Sequence, residues 1–424
     1  MTNKQDCSAL DAQDPLAALR GNFSVPNGTI YLDGNSLGVL PVATAARLQD
    51  VATREWGRDL ITSWNSAGWI DQPLRVGAKI GRLIGARDGE TIAADSTSVN
   101  LYKVLSAAIE SIKRDAAPAR RTIVSERRNF PTDLYIAESL ARQHGFTLEL
   151  VEPDEIAARI DERLAVLMLT QVNYRTGRVH DMAALSRAAH AAGALTVWDL
   201  AHSAGAIPVD LNGADADFAI GCGYKYLNGG PGAPAFVWAH RRHLDRMDRD
   251  GLWQPLAGWM GHAAPFEFSH DYRPAPGIAR FACGTPAVLS LAALECGVDS
   301  VLAAEPLGGM AALRRKSLAL TNLFIRLVEE RCGGHGLELV TPRDESIRGS
   351  QVSFAREEGG YAIVQALIER GVIGDFRAPD VLRFGFTPLY LRFVDVWDAV
   401  EHLREVLASG SWRDERFQRR SAVT

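Results

Sequence analysis

Lys225 stands between Tyr224 and Tyr226, directly after an apolar run and ahead of the loop Asn228-Gly-Gly-Pro-Gly-Ala-Pro234. An amine at a strand exit beside a glycine-rich loop can approach a ligand closely, because glycine lets the backbone come near. Partly desolvated, such a lysine serves as a Schiff-base nucleophile or a proton carrier. Taken alone, it also reads as a surface lysine at a turn. Asp199 closes the apolar run LTVWDL, and open α/β sheets bind ligands beyond the C-terminal ends of their strands. It lies about one strand–connection–strand unit before Lys225, where an acid can pair with a protonated ring nitrogen. The plainer reading of Asp199 is a helix N-cap. His202, three residues on, either bonds Asp199, faces a bound ring, or is simply structural.

Further candidates sit at similar junctions. Asp95-Ser-Thr-Ser-Val-Asn100 precedes a helical pattern, and hydroxyls with free N–H groups at a helix start make an anion site suited to phosphate. Ordinary capping by Asp95 or Ser96 is the alternative. In Asn129-Phe-Pro-Thr-Asp133, Phe130 can stack on a flat heterocycle and Asp133 can bond its polar edge. Thr170 ends the run LAVLMLT. Each signal is weak singly. A lysine, an acid, an aromatic and an anion cradle on one sheet edge together describe a pyridoxal 5′-phosphate (PLP) site better than any other common ligand. The sequence has no G-x-G-x-x-G after a first strand, no G-x-x-x-x-G-K-[ST] and no metal-ligand spacing, so nucleotide and metal readings lose support.

Those residues need a sheet to hold them. Strand-like runs occur at 121–126, 147–152, 164–170, 195–200, 217–223 and 235–240. Helical patterns at 133–144 and 182–192 separate several of them and stop at Gly145 and Gly193, as helices often do. Continuous apolar strands alternating with helices predict a mostly parallel sheet covered on both faces. Upstream, Pro41 opens a helix to about Trp56, and another runs over 99–113. After about residue 300 the pattern changes to a long amphipathic helix (Leu313, Leu320, Phe324, Leu327). Short strands at 337–341 and 351–355, a helix at 361–370, strands near 372–376 and 381–386, and a helix at 395–407 follow. The expected organisation is a large α/β domain over 45–300. A smaller α+β domain takes 301–424, with the N-terminal segment 1–44 packed on it.

Bulk properties bound the function. The chain has 424 residues, 47% apolar and 23% charged, ordinary for a globular protein of about two or three domains. Its formal net charge of −5 points to no nucleic-acid or anionic-membrane partner. The five cysteines are widely spaced and form no C-x-x-C, which argues against a disulfide framework or zinc site and for a reducing compartment. The N-terminal MTNKQDCSALDAQDPL lacks a signal-peptide core, no apolar run is long enough to span a bilayer, and Arg413–Arg420 reads as a solvated tail. The expectation is a cytoplasmic protein.

At these residues the chain resembles the kynureninases, fold-type I PLP enzymes of the class V aminotransferase group. The matching stretches are YLDGNSLGVLP (31–41), STSVNL (96–101), NFPTD (129–133), TGR (176–178), VWDLAHSAG (197–205), YKYLNGGPG (224–232), GWMGH (258–262) and VLRFGFTPLY (381–390). The resemblance implies that Lys225 holds PLP, Asp199 pairs with the pyridine nitrogen, Phe130 stacks on the ring and Asp133 meets its polar edge. Thr97, Ser98, Thr170 and Tyr224 would surround the phosphate or ring, with His202 beside Asp199. Trp259 and Thr285 would complete the phosphate site from a partner subunit, which implies a homodimer. Arg383 would clamp the substrate α-carboxylate bidentately, although a strand arginine in a surface pair is its independent reading. Trp64, in the loop 62–69, would join it at the substrate. The implied reaction is hydrolysis of L-kynurenine, and of 3-hydroxykynurenine as a second candidate, to anthranilate (or 3-hydroxyanthranilate) and L-alanine. Tryptophan degradation or NAD biosynthesis is the implied setting, with Lys225, Tyr224 and Asp199 catalytic.

Two rival readings share the fold. A cysteine desulfurase or selenocysteine lyase needs a nucleophilic cysteine near the substrate, and Cys332 is the one late cysteine. A PLP-binding regulator needs a DNA-binding module, for which the stretch of about 30 residues before YLDGN is short.

Overall fold

The computed structural model describes residues 2–115 and 119–420. Its centre is a seven-stranded sheet of β1 (Thr91–Ala93), β2 (Thr122–Glu126), β3 (Thr147–Val151), β4 (Leu164–Thr170), β5 (Leu195–Asp199), β6 (Phe218–Gly221) and β7 (Phe236–Ala239). Their spatial order is β1-β7-β6-β5-β4-β2-β3. The β3-β2-β4-β5-β6 block is parallel, and β7 runs against both of its neighbours.

Alternation explains why both faces are covered. On β4, Leu167 and Leu169 enter one hydrophobic core while Val166 and Met168 enter the other, the two-residue period of a strand. All seven β4 residues are buried, as a central parallel strand requires. Helices α1 (Thr97–Arg114) and α2 (Pro131–His144) place Val104, Leu105, Ala137 and Leu140 in the second core. Helix α3 (Met182–Ala191) places Met182 and Ala189 in the first.

Helix starts are set locally. The Ser96 side chain accepts from the Val99 N–H at 3.3 Å, and Asp181 accepts from the Ala184 N–H at 2.9 Å. Pro131 sits in the first turn of α2, where its missing N–H costs nothing, and Gly145 ends that helix at φ 71°.

A second sheet forms beyond residue 330. It contains β8 (Gln351–Ala355), β9 (Asp375–Arg377) and β10 (Val381–Gly385) in the antiparallel order β9-β10-β8, with Glu338–Leu339 at the far edge. Helices α4 (Gly309–Arg331) and α5 (Phe393–Ser409) pack here. The N-terminal segment joins this unit: Ile30–Tyr31 pairs with Val372–Ile373, and Asp11 caps α5 through the N–H groups of Phe393 and Val394.

Two expected elements differ. The helix from Pro41 is regular only over Val42–Asp50 and continues as a wider turn over Val51–Trp56. The single strand expected near 372–376 is two strands, because Val372–Ile373 pairs with the N-terminal segment while Asp375–Arg377 pairs with β10.

Candidate active site

The C-terminal ends of β2, β4, β5 and β6 and the starts of α1 and α2 converge on one cavity of about 450 Å³. Thr97, Ser98, Phe130, Asp133, Thr170, Asp199, His202, Tyr224, Lys225 and Thr285 all line it. This is the crevice that the strand order of an open α/β sheet creates.

Lys225 occupies the turn after β6. Its Nζ lies 2.9 Å from His202 Nε2 and about 6 Å from the Phe130 and Tyr224 ring centres, at 6.0 and 5.8 Å. Burial, helped by the lysine's charge, holds His202 well below the usual histidine range. The imidazole is therefore neutral and accepts from Lys225 Nζ. The turn itself is braced from below, since the Gly38 N–H donates to the Tyr224 carbonyl at 2.7 Å. A Cβ at Gly38 would meet the Lys225 carbonyl oxygen at 2.4 Å, so glycine is required there.

Asp133 and Asp199 form a buried carboxyl pair. Both face the Thr170 hydroxyl, at 3.5 and 3.4 Å, and that hydroxyl also bonds Asn129. Asp199 accepts from the Ala201 N–H at 2.8 Å, so a local turn-capping role and a site role coexist. Burial raises the pKa of both acids, and the charge of Asp199 raises Asp133 further, while Lys225 opposes the shift at Asp199. Two carboxyls in one dry site titrate as a pair. Tyr224 is pushed up by burial and keeps its phenolic proton at neutral pH.

At the opposite wall, Ser96 caps Val99 and leaves the N–H groups of Thr97 and Ser98 without intrahelical partners. Asp95, at φ 48°, pairs with the buried Lys103, which also donates to the Phe281 carbonyl at 2.6 Å. A free helix start with two hydroxyls, a buried carboxyl pair, a cavity-facing aromatic and an amine make a donor set that fits PLP.

Three expected residues stand off the cavity wall. Trp259 is about one-third exposed and packs on Phe266 at 5.7 Å, while its neighbour Met260 lines the cavity. Trp64 packs edge-on against Trp69 at 6.2 Å. Arg383 is buried, its fork turned onto Asp375, Ser36 and the Tyr174 carbonyl. Thr285 lines the cavity of its own chain.

Sequence reasoning did not find Tyr174, Met260 or Cys283 on the wall; Tyr174 and Cys283 lie on loops without a motif to mark them, and within GWMGH it singled out the neighbouring Trp259. Cys332 is buried at the end of α4, and burial pushes its thiol up to about 12, the reverse of a reactive nucleophile. Among the described residues no group of side chains could hold a metal ion, and no helix is long and apolar enough to cross a membrane.

A family model described as the kynureninase C-terminal domain matches residues 313–403. The chain is 57% identical over 427 aligned positions to a kynureninase of Pseudomonas fluorescens, covering all of both chains. The chain belongs to the kynureninase family. A kynureninase of Burkholderia pseudomallei (strain K96243) is 55% identical, again over the full length of both. Solved structures similar to this kynureninase-family fold include an apo cysteine desulfurase from Thermococcus onnurineus NA1, at TM-score 0.77 and 18% identity over 92% of this chain and 98% of that one. A cysteine desulfurase from Escherichia coli gives 0.75 at 20% identity, over 93% and 98%. At those identities the likeness establishes the PLP-dependent fold-type I architecture, an α/β fold, and nothing finer.

Proposed function

We propose that the protein hydrolyses the Cβ–Cγ bond of L-kynurenine to anthranilate and L-alanine, with PLP on Lys225. The observation that carries this reading is the meeting of Lys225, neutral His202 and the Asp133–Asp199 pair on one cavity, in a chain of this family. When bound, the cofactor supplies an electron sink for bonds broken next to the substrate's α-carbon.

The chain's own groups do the rest. Thr97 and Ser98 offer hydroxyls and backbone N–H groups to the phosphate at the positive end of α1. Asp199 pairs with the ring nitrogen, its charged form favoured by the Lys225 charge and by the bond from Asp133. Phe130 covers the ring face. Lys225 Nζ takes the proton from the substrate's Cα, oriented by its hydrogen bond to His202. Tyr224 Oη donates the proton that Cβ receives, since burial keeps that phenol protonated. Replacing Lys225 by Ala should abolish both anthranilate release and the covalent attachment of the cofactor to the chain. A variant that keeps either one contradicts the lysine assignment.

Finer points belong to the same proposal. The large domain takes 45–300, and 1–44 with 301–424 make the small domain, whose Arg383 receives the substrate's α-carboxylate. The enzyme is a homodimer in which Trp259 serves the partner's phosphate site, Thr285 stands at the phosphate and Trp64 at the substrate; exposed Trp56, Leu60, Ile61, Phe266 and Phe268 support a covered face. Five free thiols favour a reducing, cytoplasmic setting. 3-Hydroxykynurenine is a second substrate, in tryptophan breakdown or NAD synthesis, and steady-state rates with both kynurenines on PLP-loaded enzyme decide the preference.

A further inference from the structure

Lys103 stands in the second turn of α1 and is wholly buried. Side chains on a helix lean toward its N-terminus, and this one reaches back to a salt bridge with Asp95, just ahead of the residues that open α1. Its Nζ also donates to the Phe281 carbonyl at 2.6 Å and lies 3.5 Å from Asn100 Oδ1. Three acceptors match the three N–H donors of a protonated lysine.

Asp95 itself is a turn residue. The Ala235 N–H donates to its carbonyl at 2.8 Å, which extends the β1–β7 pairing, and its φ of 48° then swings the chain into α1. Aspartate and asparagine are among the few side chains that tolerate this left-handed conformation. The consequence is a carboxylate on the cavity wall beside Ser96, Thr97 and Ser98, the stretch suited to a phosphate. A phosphate carries close to two negative charges at neutral pH, and like charges repel more strongly in a partly dry site than in water. Among the described residues lining the cavity, Lys225 alone carries a side-chain amine or guanidinium, and that amine bonds the cofactor in the reading above. Lys103, behind the wall, is the cation placed to offset Asp95.

We propose that Lys103 is a positioning residue for the cofactor's phosphate. Acting through Asp95, it neutralises the carboxylate of the turn, so that the start of α1 can lie beside a dianion. The proposal rests on the reading that PLP binds with its phosphate at that helix start.

The test compares the binding of PLP and of pyridoxal, which lacks the phosphate, to the full-length chain freed of cofactor, by equilibrium dialysis at neutral pH. The variants are Lys103→Met, Asp95→Asn and the two combined; asparagine keeps the left-handed turn. Lys103→Met should weaken PLP roughly 10- to 100-fold, the size of an interaction with an uncompensated charge, and leave pyridoxal within about threefold on the same scale. The combined variant should recover most of that loss, because the bared carboxylate is gone. Asp95→Asn alone, which leaves the lysine's charge uncancelled, should tighten PLP with pyridoxal unchanged. A merely structural lysine would weaken both compounds alike and would not be rescued. Unchanged PLP binding in Lys103→Met, equal losses for PLP and pyridoxal, or no recovery in the combined variant overturns the proposal. Should Lys103→Met not fold, Asp95→Asn decides alone, and PLP bound no tighter there overturns it. A parent enzyme that binds pyridoxal as tightly as PLP would overturn the reading beneath it, and the proposal with it.

Discussion

Asp33 shows how much one carboxyl can decide. Burial, and then the charge of Asp375, raises its pKa to about 7. The groups facing it are Tyr31 on its own segment, Asp375 and Arg377 on β9, Arg383 on β10, Tyr226 after β6 and Tyr390 beyond β10. Below about 7 Asp33 is neutral, and Arg377 and Arg383 share the one carboxylate of Asp375; above it the ionised Asp33 adds a second negative charge beside them. Substrate affinity should therefore fall as pH rises through about 7. A KM–pH profile checks this, and Asp33→Asn should flatten the rise. At the other wall, Tyr224→Phe should lower kcat by about 10²- to 10⁴-fold with little change in KM, the range for a lost proton donor. Steady-state kinetics of that variant check the assignment. Lys225, Asp199, Asp133 and Phe130 were legible because each ends or follows a recognisable run in the sequence. Asp33, Asp375 and Arg377 were not, since their partners come from strands paired far along the chain.

At the scale of elements, the central strands were the easiest to read. Strand β4 matches the run 164–170 at both ends, because a strand buried on both faces is a continuous apolar word. The pair Val372–Ile373 and Asp375–Arg377 reads as one strand, because periodicity reports exposure and not which neighbour a strand meets. The same logic sets a stability expectation. Leu167 is buried on the α3 face of β4, and Leu167→Ala should destabilise the fold by about 2–5 kcal/mol. Chemical denaturation of the apo-protein checks it. At Gly385 a Cβ would lie 1.9 Å from Asn35 Oδ1, so the 33–36 turn closes on β10 only with glycine there. Gly385→Ala should raise the KM for kynurenine more than it lowers thermal stability, because the turn carries Asp33 and Ser36. Parallel kinetics and thermal unfolding separate the two effects.

For the whole molecule, the decisive event is convergence. Residues separated by more than a hundred positions, Ser98 and Lys225 among them, meet because the sheet order brings their strand ends to one crevice. That geometry could be anticipated from the alternation of strands and helices. The exposed aromatics of the 253–272 loop could not be interpreted the same way, since exposure alone does not name a partner. Charge at that face, as in the double change Phe266→Asp and Phe268→Asp, should lower the assembly mass in sedimentation and weaken cofactor retention. The central claim is that one amine, at Lys225, bonds the cofactor. Borohydride reduction of the PLP-loaded enzyme, followed by proteolysis and mass spectrometry, tests it most directly. A phosphopyridoxyl mass on the peptide containing Lys225 is the predicted result; a label on Lys103 or any other lysine, or none at all, would contradict it.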